Sequence, residues 1–191
     1  MPAFAHRIQH SLDEYLALEE ASNVKHEFFA GQIFAMAGGT PEHAALAAAL
    51  IGLLFPQLRG GRCRLFDANL RIRIERTGLT TYPDVTVVCG PRALAPDDKN
   101  AVTNPTLIVE VTSPTSDSYD RGDKFQHYQT LSSLREYLLV SQSERRIERW
   151  TRDDAGVWVA RTFFAGELVP LSSIASSIDV SQLYTEAADP P

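Results

Sequence analysis

The chain has 191 residues, of which 44% are hydrophobic and 22% charged, and a formal net charge of −6 at pH 7. These values fit a folded protein with enough chain for one domain and a substantial core, and they exclude extensive disorder. The acidic balance argues against a protein whose whole surface grips nucleic acid, but leaves room for a local basic patch.

In chain order, Ser11-Leu-Asp-Glu14 has the spacing of a capping box and predicts a helix running to about Ala21. Strands are predicted over Lys25 to Phe29 and Gln32 to Met36, joined by a tight turn at Ala30-Gly31. Thr40-Pro41-Glu42 then reads as N-cap, first-turn proline and first-turn acid of a helix. That helix continues to about Phe55, where Pro56 and then Gly60-Gly61 stop it. It is apolar nearly all round, which predicts burial on more than one side, in the core or in a subunit interface.

"LRIRIE", Leu70 to Glu75, alternates as a half-exposed strand does. "DVTVVC" (Asp84 to Cys89), "TLIVEV" (Thr106 to Val111) and "EYLLV" (Glu136 to Val140) have the apolar, largely β-branched pattern of buried strands. A helix is expected over Asp120 to Leu131. "RRIERW" and "VWVARTFF" flank the hairpin signal Asp153-Asp-Ala-Gly156, and a helical turn is expected over Val180 to Tyr184. There is no internal repeat or linker, so the expectation is a single α/β domain over 1–191, its core about 10–185 and its tail 186–191 disordered.

The longest apolar run, Ala44 to Phe55, falls short of the ~20 residues that span a bilayer, so no membrane partner is expected. No secretory signal is apparent, and Cys63 and Cys89 read as free thiols. The expectation is therefore a reducing, cytoplasmic setting and no zinc site. Six arginines fall between Arg59 and Arg76, and Arg145, Arg146, Arg149 and Arg152 form a second group. Either set serves phosphate contact or simply a solvated face.

The chemistry centres on Glu110, a carboxylate in the middle of a β-branched run. It shares a strand face with Ile108 and Thr112, away from Leu107, Val109 and Val111. Asp84 follows Pro83, which cannot donate to a ladder, so a strand begins there. If the two strands pair, the carboxylates approach, and a divalent cation such as Mg²⁺ or Mn²⁺ relieves their repulsion. Asp120, Lys124 and Tyr128, spaced by four, share a helix face. A lysine beside a metal-bound water can orient it or stabilise charge on a phosphate oxygen. The plainer readings are a turn cap for Asp84, an ion pair with a neighbouring strand's arginine for Glu110, and a surface pair with Asp120 for Lys124.

"YPDVTVV", "PTLIVEVTSPTSDSYDRGDKFQHY" and "REYLLV" resemble the Uma-type restriction endonuclease family, and "KHEFFAGQIFAMAGGTPEHAALAAAL" is similar to its opening hairpin and helix. The likeness covers roughly residues 10 to 185. It implies the PD-(D/E)xK superfamily: a restriction-endonuclease-like mixed sheet flanked by helices, and metal-dependent cleavage of DNA. The resemblance matches Asp84 and Glu110 to the motif acids. Thr112 stands where the motif lysine would be, and Lys124 on the following helix is its displaced counterpart. Glu27 matches an upstream glutamate that is a metal ligand, a holder of metal-bound water, or merely an ion-pair partner of Lys25 or an arginine. His43 matches a histidine at a helix start, where the dipole favours a neutral imidazole that takes a proton, binds substrate or simply caps. Leu138 replaces a frequent tryptophan. Arg71 and Arg73 are the named candidates for DNA phosphates, and a homodimer is expected of a small nuclease cutting both strands. The rival classes are a non-cutting nucleic-acid-binding or regulatory protein on the same fold, and a hydrolase of other phosphoesters.

Overall fold

The computed structural model describes residues 8–36, 38–114 and 116–189. Helix α1, Leu12–Ala21, begins with the expected box: Glu14 N donates to Ser11 Oγ at 3.2 Å and Ser11 N to Glu14 Oε2 at 2.7 Å. Strands β1, His26–Phe29, and β2, Gln32–Ala35, meet at Ala30 (φ 48°) and Gly31 (φ 76°), the two left-handed positions a tight hairpin turn needs. Helix α2, Pro41–Leu58, has Thr40 as its cap. Strands β3, Cys63–Asp67, β4, Arg71–Ile74, β5, Leu79–Thr81, and β6, Val85–Cys89, follow. After them come β7, Leu94–Ala95, β8, Asp98–Val102, and β9, Leu107–Thr112. A short helix α3, Asp117–Tyr119, runs through one π-helical turn, Asp120–Lys124, into α4, Phe125–Gln129. The chain ends with β10, Glu136–Ser141, β11, Arg146–Arg152, β12, Trp158–Phe164, β13, Leu168–Leu171, β14, Ser176–Asp179, and α5, Val180–Glu186.

Two six-stranded mixed sheets result, ordered β2-β1-β5-β4-β8-β7 and β12-β11-β10-β9-β6-β3, with β13-β14 as a ribbon. In the second sheet β9 and β10 are parallel, while β6 runs antiparallel to β9 with Val85 opposite Val109. The alternation read from sequence holds: Leu107, Val109 and Val111 join one core cluster with Leu46, Leu50, Leu54 and Leu58 of α2. Ile108 joins the other cluster, with Phe125, Tyr128 and Tyr137. Glu110 is therefore on the face covered by α4.

Several expectations are corrected. Helix α2 runs through Pro56 for almost another turn, because Leu58 is buried and Gln57 is clasped by Leu53 O and Ser177. It buries one row, leaving Ala44, Ala48, Gly52 and Phe55 exposed. Strand β4 is buried throughout, not half exposed. The expected helix over Asp120 to Leu131 starts earlier, ends at Gln129 and contains the π turn. At the C-terminus α5 extends to Glu186, and Ala187 N still donates to Leu183 O, so the expected loose tail is hydrogen-bonded at its start. Pro190 and Pro191 lie outside the described residues. No described helix is long and apolar enough to cross a membrane.

Cys63 and Cys89 are not free thiols but a disulfide. They stand directly opposite in the β3–β6 register, a pairing invisible without knowing that β3 exists. The bridge joins residues 26 apart. Its reduction is expected to cost about 3 kcal/mol, seen as a lower thermal midpoint in dithiothreitol. A midpoint unmoved in Cys63→Ser/Cys89→Ser would show that the crosslink contributes nothing.

Candidate active site

The chain crosses from the first sheet to the second over Thr81-Tyr82-Pro83-Asp84, and the site forms at that crossing. Strand β1 brings Glu27 beside β5, β6 starts with Asp84 at its edge, β9 supplies Glu110, and the π turn supplies Asp120 and Lys124. A π turn adds a residue to a helical turn and commonly marks a functional position. Here its two ends both point inward, and Tyr137 Oη donates to Asp120 O at 2.9 Å to hold it there. Arg121, on the other side of the turn, bridges Asp117 and Glu148 and ties the segment to β11.

Pairing of β6 with β9 sets the two principal acids against each other. Val111 N donates to Asp84 Oδ2 at 2.7 Å, and Asp84 N lies 3.4 Å from Glu110 Oε2. Lys124 Nζ lies 3.0 Å from Glu110 Oε1, 3.1 Å from Glu27 Oε1 and 3.6 Å from Asp120 Oδ1. Tyr128 Oη donates to Glu110 Oε1 at 2.8 Å. Glu27 also accepts from the Thr81 hydroxyl and, at 3.4 Å, from Tyr119 Oη. His43 Nε2 is 3.2 Å from Asp84 Oδ2.

Glu110 and Lys124 are each about 95% buried, at 4% and 5% exposure. Burial pushes the Glu110 carboxyl up to about 8; Lys124 pulls it back, while the charges on Asp120 and Asp84 add to the rise. Burial alone would lower Lys124, but Glu110, Glu27 and Asp120 together hold its ammonium well above the ordinary lysine value. Burial also raises Asp120. The hydrogen bond with Asp84 raises His43 against the opposing effect of burial, so the expected preference for a neutral imidazole is overruled by its neighbour. The helix-end dipole is the weaker influence.

These groups line an open cavity of about 360 Å³, with Met36, Gly39, Tyr82, Ser116 and Gln142 also on its wall. Among its described lining residues, Lys124 and His43 are the only basic side chains, facing the acids Glu27, Asp84, Glu110 and Asp120. Acids outnumber bases on this wall, so an anionic phosphate needs added positive charge there.

The structure thus brings together Asp84, Glu110, Lys124, Glu27, His43, Asp120 and Tyr128. It does not bring Arg71 and Arg73 to them. Arg71 donates to Asp98 Oδ2 at 2.6 Å and to Tyr82 Oη at 2.7 Å. Arg73 donates to Gly78 O at 2.6 Å and to Thr80 and Asp97. Both guanidiniums are buried and internally paired, which corrects their reading as phosphate contacts. Glu110's partner is a lysine from a distant segment and not a strand arginine. Glu27 pairs with Lys124 and not with Lys25, whose Nζ donates to Ala68 O. Sequence reasoning missed Thr81 and Tyr119, hydroxyl residues whose role depends on strand β5 and on α3.

A family model described as "Uma2: Putative restriction endonuclease" matches residues 12–181. An uncharacterized protein of Synechocystis sp., slr1290, is 40% identical over 176 residues, covering 91% of this chain and 90% of its own. A second from the same organism, sll1609, is 34% identical over 146 residues, covering 76% and 82%. A crystal structure titled as a putative nuclease belonging to DUF820 from Anabaena variabilis superposes with a TM-score of 0.76 at 19% identity, over 93% of this chain and 99% of that one. At that identity the superposition establishes the fold. With the family model spanning nearly the whole chain, the protein belongs to the Uma2 family of restriction-endonuclease-like nucleases.

Proposed function

We propose that the chain is a metal-dependent endonuclease that hydrolyses DNA phosphodiester bonds, with Asp84, Glu110 and Lys124 as its working residues. The observation that carries this reading is their convergence from a loop, a strand and a helical turn onto one cavity. The donor set fits Mg²⁺ or Mn²⁺: Asp84 and Glu110 are adjacent hard oxygen donors at a cavity wall, and Mg²⁺ takes one or two protein carboxylates while keeping several waters. No group of three or more His, Cys, Asp or Glu among the described residues is placed to hold an ion. Held by Asp84 and Glu110, such an ion would supply a water of lowered pKa and neutralise the scissile phosphate.

The protein's own groups have definable tasks. Val111 N fixes one Asp84 oxygen, and Tyr128 fixes one Glu110 oxygen, so neither carboxylate is free to rotate. Lys124, buried and kept charged by its neighbours, offers N–H donors to an anionic oxygen at the cavity wall. His43, hydrogen-bonded to Asp84 at the cavity wall, is placed to carry a proton or contact the phosphate. A symmetric pair is the expected acting form, with the exposed Ala44, Ala48, Gly52 and Phe55 row of α2 as its candidate contact.

Supercoiled plasmid provides the test. With Mg²⁺ or Mn²⁺ the native chain is expected to nick, and EDTA to stop it. Asp84→Asn and Glu110→Gln are expected to lower the rate by about a hundredfold or more. A chain that binds DNA with no metal-dependent turnover, unaffected by Asp84→Asn, would instead be a non-cutting nucleic-acid-binding protein. Turnover of nucleotides but not plasmid would mark a different phosphoesterase.

A further inference from the structure

Glu27 and Glu110 compete for one ammonium. Lys124 Nζ sits between them at 3.1 and 3.0 Å, with Asp120 a weaker third partner at 3.6 Å. A divalent ion held by Glu110 would draw on the same carboxylate that now holds Lys124, and it would repel the ammonium. A buried ammonium left without a partner is costly, so Lys124 can release Glu110 only if another acid receives it.

Glu27 is built to be that acid. Its Oε1 already meets both Lys124 and the Thr81 hydroxyl, and its Oε2 faces Tyr119 Oη at 3.4 Å. Thr81 is buried, and β1 pairs with β5 through Phe28 opposite Thr80, so this grip is part of the first sheet. The carboxylate is thereby fixed and committed to internal donors. Asp84 differs: a backbone N–H and an imidazole meet it, and it stands immediately before β6 of the other sheet. Glu27, Asp84 and Glu110 are not arranged as a shared three-acid ion site among the described residues.

We infer that Glu27 is a positioning residue for Lys124 and not a ligand of the metal: it keeps the ammonium when the ion engages Glu110. This rests on the proposed metal role of Asp84 and Glu110. It predicts that Glu27 acts on metal affinity only through Lys124. With Glu27 neutral, Lys124 falls back on Glu110 and competes with the ion. With Lys124 absent, Glu27 has nothing to hold.

The test is a double-mutant cycle read by calorimetric titration of Mn²⁺ without DNA. Couplings between groups in contact commonly correspond to several-fold to about a hundredfold in an equilibrium constant. Relative to the native chain, Glu27→Gln is expected to bind Mn²⁺ about tenfold more weakly and Lys124→Met about tenfold more tightly. Adding Glu27→Gln to Lys124→Met is expected to change affinity by less than about threefold. Lys124→Gln, which keeps a polar head, replaces the methionine variant if that one fails to fold. Equal weakening by Glu27→Gln in both backgrounds overturns the inference and makes Glu27 a ligand. Native affinity for Mn²⁺ that Lys124→Met leaves unchanged overturns it as well. Absence of Mn²⁺ binding by the native chain overturns both this inference and the proposed metal site, whereas the other two outcomes leave that site standing.

Discussion

Lys124→Met lowers the unfolding free energy by about 3–5 kcal/mol in metal-free buffer and ends plasmid cleavage, the outcome expected when one partner of a buried ion cluster is deleted. Methionine fills much of the lysine's volume, so the loss is of charge and not of packing. Glu110, Asp120 and Glu27, with side chains only 5%, 7% and 12% exposed, would then face one another without a cation. Protonation offsets part of that cost. Burial already raises Glu110 and Asp120 above the usual carboxylate range, and loss of the ammonium raises them further. A folded state that holds protons the unfolded chain has released loses stability as pH rises. The deficit therefore widens from the ordinary carboxylate range upward through the raised values. Urea denaturation of both chains at pH 5.5 and pH 8 measures it. A deficit near zero and independent of pH would show that Lys124 does not neutralise these acids. Most single domains have stability to spare for such a loss, at about 5–15 kcal/mol. Far-UV circular dichroism of the variant under assay conditions then separates lost catalysis from lost structure.

Local signals in this chain were legible because each is satisfied within a few residues. The Ser11–Glu14 box, the Ala30-Gly31 turn and the Thr40 cap depend only on their neighbours in sequence, and all formed as read. Buried strands β6, β9 and β10 announce themselves by continuous apolar runs. Strands β3, β5, β7 and β8 do not: β7 is only two residues long, and the others carry threonines, an arginine or a lysine whose fitness as strand residues is decided by partners. The disulfide and the burial of β4 were hidden for the same reason: Cys89 and Asp98 become the partners of Cys63 and Arg71 only once the sheets are assembled.

The site was readable in its acids and not in its scaffolding. A carboxylate inside "TLIVEV" is costly enough to require a partner, which made Glu110 conspicuous. Helical spacing grouped Asp120, Lys124 and Tyr128, and the π turn kept that grouping while changing its geometry. The identity of Glu110's partner was a long-range fact, as Lys124 arrives from fourteen positions along the chain (124 − 110). Thr81 and Tyr119 are unremarkable in sequence; the register of β5 turns the Thr81 hydroxyl toward Glu27, and the placement of α3 brings Tyr119 Oη there.

Arg71 offers the sharpest separation of a structural cation from a nucleic-acid contact. Its guanidinium donates to Asp98 at 2.6 Å and to Tyr82 at 2.7 Å, and lies 3.8 Å from Glu19. The side chains of Asp98 and Glu19 are each only 3% exposed. Arg71→Met strands Asp98, while Glu19 keeps Tyr82 Oη and His26 Nδ1 as partners; about 3–5 kcal/mol of lost stability is expected, against roughly 0–1 kcal/mol for a solvent-exposed pair. Arg73→Met is expected to cost less, because its acidic partner Asp97 is 41% exposed and can be solvated in its absence. Binding to DNA should behave in the opposite way. Each arginine that neutralises a phosphate adds about one to the slope of log affinity against log salt. That slope is expected to be unchanged in folded Arg71→Met, since the native guanidinium is turned inward to its own acids. Titration of a short duplex at several salt concentrations, run beside urea denaturation, reads both quantities. Arg71→Met with native stability and a shallower slope would return this arginine to the DNA surface; a large stability loss with an unaltered slope places its charge in the service of the fold, holding the β4–β8 pair and Tyr82 just two residues before Asp84.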